Sequence, residues 1–255
     1  MEFNVSGHSK WSTIKHQKGV TDARRGQLFT KLSRDLAVAV RQGTSTDPDL
    51  NYSLRLAIDK AKSNNMPMDT IERSIKRASG EGDGAERLDG VVYEGYGPGG
   101  VAIMLYAVTP NRNRTASEVR STFSKCGGNL GETGCVGWNF EPKGIIILQV
   151  EPMRTEEIAL RAIDAGAEDV QIEDDYLEVY TSPEHLESIR KEIGTLDVEV
   201  SSSEFSMRPK STVALGDKEA AQVLKLMDSL EDLIDVQKVY TNSEFSSAAL
   251  EKYKG

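Results

Sequence analysis

Two cysteines, Cys126 and Cys135, are all the thiols in this chain of 255 residues. They are too few and wrongly spaced for a zinc knuckle or a disulfide framework, so two unpaired thiols in a reducing compartment are expected. Histidine is as scarce, with His8, His16 and His185 the only three. No nucleophile motif, metal-ligand spacing or Walker-type loop accompanies them, which excludes the usual catalytic constellations; no enzyme activity, metal or cofactor is expected. Long apolar runs are missing too. A membrane span needs about 18 such residues, and the longest run here, Gly144–Val150 with Gln149 interrupting it, reads as a buried strand. The opening Met-Glu-Phe-Asn-Val has no apolar signal region, so a cytoplasmic address is expected. With 38% hydrophobic and 28% charged residues the chain has enough apolar content to exclude disorder throughout.

What is present is charge, unevenly divided. The net charge of −9 argues at first against a nucleic-acid partner. Yet residues 1–78 hold 14 Lys and Arg against 8 Asp and Glu, whereas 131–206 hold 5 against 18. A basic module of net +6 is thus carried by an acidic body whose 131–206 stretch is net −13.

The apolar spacing predicts an α+β protein: a three-helix N-terminal domain followed by two α/β, ferredoxin-like domains, the third inserted into the second. Leu28, Phe29, Leu32, Leu36, Ala39 and Val40 mark a first helix over 20–42, ended by Gly43. Asp47-Pro48 reads as the start of a second, with Asp47 as N-cap. Pro67 opens a third, where Asp69 and Glu72 have capping-box spacing. The polar, glycine-rich Ser79–Leu88 follows as a linker. Val91–Tyr96 and Val101–Val108 read as strands of a hairpin, then a helix over 115–125 with Thr115 and Glu118 as its capping box. From Gly144 to Val200 the order β-α-β-β-α-β matches the split βαβ motif, with 135–140 as an extra edge strand. The helix over 217–234 and the strand over 236–241 then complete a discontinuous middle domain. The expected division is 1–79, then 80–130 with 207–242, the insertion 131–206, and a tail over 243–255.

The segment Gly7–Arg34 concentrates cations. Lys10, Lys15, Lys18, Arg24, Arg25, Lys31 and Arg34 face a single acid, Asp22, and His8, Trp11 and His16 are interleaved with them. Lys and Arg neutralise phosphates, and a flat ring can stack on an unpaired base. Trp11 could equally pack into the helical bundle. Gly95–Gly100 matches G-x-G-x-x-G in letters only, because a strand and not a helix follows it. Arg112 and Arg114 stand at a helix start, where the macrodipole is already positive. They form either a secondary anion site or an exposed loop paired with carboxylates. The acids of 131–206, such as Glu173-Asp174-Asp175, are expected mostly on turns and outer faces.

Gly7-His8-Ser9-Lys10-Trp11, His16-Gln17-Lys18, Asp22–Gly26, Ser63–Pro67, Tyr93–Gly100, Asn111–Thr115 and Phe123–Gly131 together resemble the YebC/PmpR family. The likeness spans residues 7–242, with Pro110 and Cys135–Trp138 as local departures and residues 1–6 preceding the family's usual start. The resemblance implies three domains, the third inserted in the second, and no enzyme activity. It also implies a nucleic-acid partner, differently described across the family. Members resemble cytoplasmic DNA-binding transcriptional regulators, mitochondrial relatives resemble a translational activator of cytochrome c oxidase, and other bacterial members resemble ribosome-associated factors that relieve stalls at proline runs.

Residues and resemblance together lead to a non-enzymatic nucleic-acid-binding regulator that uses its first domain. No zipper or dimer face is evident, so a monomer is favoured over a symmetric operator reader, and the basic arm suits an irregular RNA surface. A protein-interaction scaffold docking through the acidic insertion is the alternative.

Overall fold

A computed structural model describes residues 5–6, 22–43, 45–80, 88–172 and 176–254. The chain divides into two compact units, one made of residues 1–139 and 209–255 and the other of 140–208.

The first unit begins at β1 (Val5–Ser6) and α1 (Asp22–Gln42). α2 (Tyr52–Ser63) and α3 (Met68–Ala78) both pack against α1. Leu32, Leu36, Val40, Leu54, Ile58, Ala61 and Ile71 form their shared core, as the apolar spacing requires. Two helix starts differ from expectation. Asn51 caps α2, its side chain accepting the Leu54 N–H at 3.0 Å, while Asp47 accepts the Asp49 N–H in a local turn. Pro67 occupies the N-cap of α3, so Asp69 lies inside the first turn and no capping box forms.

β2 (Asp89–Tyr96) and β3 (Ala102–Thr109) are an antiparallel hairpin, paired from Asp89–Thr109 to Tyr96–Ala102. Gly99 and Gly100 both take φ 74°, a region that disfavours side chains, and they turn the chain between the strands. α4 (Arg112–Lys125) and β4 (Asn129–Leu130) follow. After the insertion come β9 (Val213–Ala214), α7 (Asp217–Glu231), β10 (Val236–Thr241), β11 (Ser243–Phe245) and α8 (Ser247–Lys254). The main sheet has the order β10-β3-β2-β4, and a smaller one β1-β11-β9. α4 and α7 bury Val119, Phe123, Val223 and Met227 against Ile103, Leu105 and Val239 of the main sheet.

The C-terminal residues are no tail. Phe245, Ala249 and Leu250 are buried in that same core, because their spacing gives α8 an inward apolar face. Leu250→Ala should therefore cost about 2–5 kcal/mol, the range for a truncated core leucine. A thermal melt within about 2 °C of wild type would show the helix to be dispensable.

The inserted unit contains β5 (Phe140–Gln149), α5 (Thr155–Asp164), β6 (Asp169–Ile172), β7 (Tyr176–Thr181), α6 (Leu186–Ile193) and β8 (Glu199–Pro209). Its sheet order, β6-β7-β5-β8, is that of a ferredoxin-like fold. One of its acids, Glu178, is fully buried on β7 and accepts a hydrogen bond from the Tyr180 hydroxyl, unlike the outer-face placement expected of such residues.

The expected edge strand over 135–140 is absent from the described residues there, and 131–139 belong to the first unit. The reason is Glu94. Its carboxylate accepts the N–H groups of Gly134 and Val136 at 2.8 Å and of Gly137 at 2.6 Å, which curls this segment into turns. Burial pushes the Glu94 carboxyl up, and the three amides outweigh it and hold the group below its ordinary value. A carboxylate depressed in this way contributes stability above its unfolded pKa, and that contribution is lost as pH falls through the folded value. Glu94→Gln should thus be less stable than wild type at pH 7 and lose less stability below about pH 4. Parallel denaturation midpoints from neutral to acid pH would contradict this.

Candidate nucleic-acid interface

The residues singled out for phosphate contact fall into three groups. His8, Lys10, Trp11, Lys15, His16 and Lys18 lie outside the described residues, as do Glu173-Asp174-Asp175 and most of the glycine-rich linker. Arg24 and Arg25 stand in the first turn of α1, and Arg25 is exposed. The rest, Lys31, Arg34, Arg112 and Arg114, are placed in detail.

Lys31 and Arg34 do not face solvent as a phosphate-binding pair. One helical turn apart on α1, they reach the connection between α7 and β10. The Lys31 ammonium donates to the carbonyl of Val236 at 2.7 Å and to that of Glu231. Glu231 is the last residue of α7, where unsatisfied carbonyls and the negative end of the macrodipole favour a cation. Arg34, whose side chain is 12% exposed, donates at 2.7 Å both to the Ile234 carbonyl and to Oδ1 of Asp235. These two cations hold the helices to the middle sheet, so the phosphate-neutralising role expected of them gives way to a docking role.

Arg114 is likewise committed. Its Nη2 lies 2.7 Å from Oδ2 of Asp235. The same oxygen receives the Thr115 hydroxyl at 2.6 Å, with the Thr109 hydroxyl 3.1 Å away. Asp235 is fully buried, so its charge would be costly without these partners. Burial raises its carboxyl, but Thr115, Arg114 and Arg34 together outweigh burial and hold it below the ordinary aspartate range. α1, the end of β3, the start of α4 and the approach to β10 thus converge on one carboxylate.

The start of α4 also differs from expectation. Asn111 is the N-cap and accepts the Arg114 N–H at 3.1 Å, while Thr115 is turned inward to Asp235. Arg112 and Arg114 therefore lie inside the first helical turn and not in a loop before it. Arg112 remains 62% exposed, with a loose contact of 3.8 Å to Asp89. Arg114 is itself 46% exposed, but its guanidinium is already bound to Asp235, so of the two arginines Arg112 is the better placed for an anion.

The amino-acid pattern did not point to Asp235, Thr109 or Glu94, and it gave Thr115 a capping role in place of its bond to Asp235. The one available signal for Asp235 was an acid set within Leu233-Ile234-Asp235-Val236, an apolar run at a helix-to-strand junction. Among the described residues no group of three or more His, Cys, Asp or Glu is placed to hold a metal ion. No helix among them is long and apolar enough to cross a membrane.

Residues 9–81 match the family model of the TACO1/YebC protein N-terminal domain, and residues 88–243 that of the TACO1/YebC second and third domain. A probable transcriptional regulatory protein of Dehalococcoides mccartyi is 53% identical over 249 residues, 98% of either chain. One of Roseiflexus castenholzii is 51% identical over 252 residues, covering 98% of this chain and 99% of that one. The crystal structure of a conserved hypothetical protein from Aquifex aeolicus is similar at a TM-score of 0.82 and 46% identity, covering 92% of this chain and 96% of that chain.

Proposed function

The chain belongs to the TACO1/YebC family, and from that premise we propose that it is a non-enzymatic, cytoplasmic, nucleic-acid-binding regulator of gene expression that makes its contact through the basic N-terminal segment. The observation that carries this reading is the charge division, net +6 over residues 1–78 in a chain of net −9. Relatives named probable transcriptional regulatory proteins support a regulatory role. Lys10, Lys15, Lys18, Arg24 and Arg25 neutralise phosphates, and His8, Trp11 and His16 stack on bases or reach their edges. Arg112 adds a secondary anion contact.

Within this reading RNA, ribosomal RNA included, is favoured over an operator, because the cations precede and open a helix that is itself docked on the protein through Lys31 and Arg34. A helix held by that docking is poorly placed to enter a major groove along its length. The test sets two measurements side by side on the full chain: co-sedimentation with ribosomes, and selectivity between DNA duplexes. Ribosome association with little duplex preference is expected. Selectivity for one duplex of roughly 10³ or more at physiological salt, without ribosome association, would make the protein an operator-binding regulator.

A second reading, a scaffold that docks proteins through the acidic inserted unit, is favoured by one observation. Met153, Leu160 and Ile163 are exposed on and beside α5, among Glu156, Glu157 and Asp164.

A further inference from the structure

Trp138 is 68% exposed and Tyr96 41%, although large rings are ordinarily well buried. Both polar handles are already used. The Trp138 indole N–H donates to the Cys135 carbonyl at 3.0 Å, and the Tyr96 hydroxyl donates to the same oxygen at 2.9 Å. One acceptor thus ties two rings from distant parts of the chain, and what they offer outward is aromatic surface.

The acceptor is itself fixed. Cys135 closes a turn onto the Glu132 carbonyl at 3.1 Å, and the amides on either side of it are held by the buried Glu94 carboxylate. Asn139, next to Trp138, is anchored by its side chain to Ser211, with the Lys210 N–H on its carbonyl at 2.7 Å. Two rings held this way lose little conformational freedom when something stacks on them.

Resting on the nucleic-acid reading above, we propose that Tyr96 and Trp138 form a preorganised stacking platform for an unpaired nucleobase of a single strand. The surroundings favour a base over a protein side chain. A protein interface seats its aromatic anchors in a well-packed apolar centre. Here Asn129, paired across the sheet with Tyr96, the turn residues Glu132, Thr133 and Gly134, and Lys210 and Ser211, bonded to Asn139 beside Trp138, are all exposed and small or polar. A base needs only a π face, and every base has one. Glu132 and Lys210 leave the rim close to neutral, so the platform adds affinity with almost no counterion release. That separates it from the basic segment.

The test titrates the full chain with oligouridine and with an RNA duplex of equal length, over a range of salt. Trp138→Ala should weaken oligouridine binding roughly 5- to 100-fold, the range that one lost stacking contact implies. Trp138→Phe should restore most of it, and duplex binding and the log–log salt slope should hardly move. Unchanged oligouridine affinity in Trp138→Ala would overturn the platform and leave the nucleic-acid reading standing. A wild-type chain that binds neither probe would remove that reading and the platform with it. If Trp138→Ala does not fold, ultraviolet crosslinking of the wild-type chain to 5-bromouridine-substituted oligouridine decides. Adducts on Trp138 or Tyr96 support the platform, and adducts confined to other residues overturn it.

Discussion

Asp235→Ala should be among the most damaging single substitutions in the first unit, lowering its stability by about 3–5 kcal/mol. Apolar replacements of whole buried ion pairs are often tolerated, but removing one partner leaves the other charge uncompensated. Here two guanidinium groups would lose their carboxylate, and the hydroxyls of Thr109 and Thr115 would lose their acceptor. Arg114 is nearly half exposed and can turn to water, so most of the loss comes through Arg34, whose side chain is only 12% exposed. For a unit of this size about 2–4 °C of melting temperature accompanies each kcal/mol, which makes the expected drop roughly 6–20 °C. Hydrogen exchange should quicken across α1 as its attachment to the α7–β10 connection weakens. A melting temperature within about 2 °C of wild type would show that Asp235 does not hold these elements together.

The second large effect concerns where the nucleic-acid affinity resides. Each phosphate neutralised contributes about 0.7–0.9 to the slope of log affinity against log salt. Replacing Lys10, Lys15 and Lys18 together by Gln should therefore flatten the slope by about 2–3 and lower affinity at physiological salt roughly tenfold or more. Lys31→Gln is the matched control. It also removes a cation from the N-terminal segment, but one whose hydrogen bonds go to the carbonyls of Glu231 and Val236. It should lower stability and leave the slope nearly intact. Equal flattening in both would mean that Lys31 leaves its carbonyls on binding, and no flattening in the triple variant would move the contact elsewhere.

The contrast between these lysines marks what could be read from the sequence. Periodicity located α1, α2 and α3, because an amphipathic helix must repeat its apolar residues whatever it packs against. The insertion's strand and helix order was legible for the same local reason, and its sheet order then follows the split βαβ motif. Cap positions were less legible, since Asp47 and Asn51, or Asn111 and Thr115, are all competent capping residues and only packing chooses between them. Thr115 lost its capping role to a buried carboxylate 120 residues away. Charge counting treats every cation as available, and nothing local distinguishes Arg25 from Arg34. The difference is made by Asp235, which approaches only in the folded chain. Glu94 is a similar case, an acid in a strand whose partners are backbone amides 40 to 43 residues on. No side-chain pattern encodes them.

The central claim, that the basic N-terminal segment is the nucleic-acid contact, is tested most directly by ultraviolet crosslinking in growing cells. The bound nucleic acid is sequenced and the crosslinked peptides are mapped in the same sample. The account predicts recovered nucleic acid, RNA in the main, with its most frequent adducts between Gly7 and Arg25. Recovery of no nucleic acid above an uncrosslinked control, or adducts confined to residues 140–208, would contradict it.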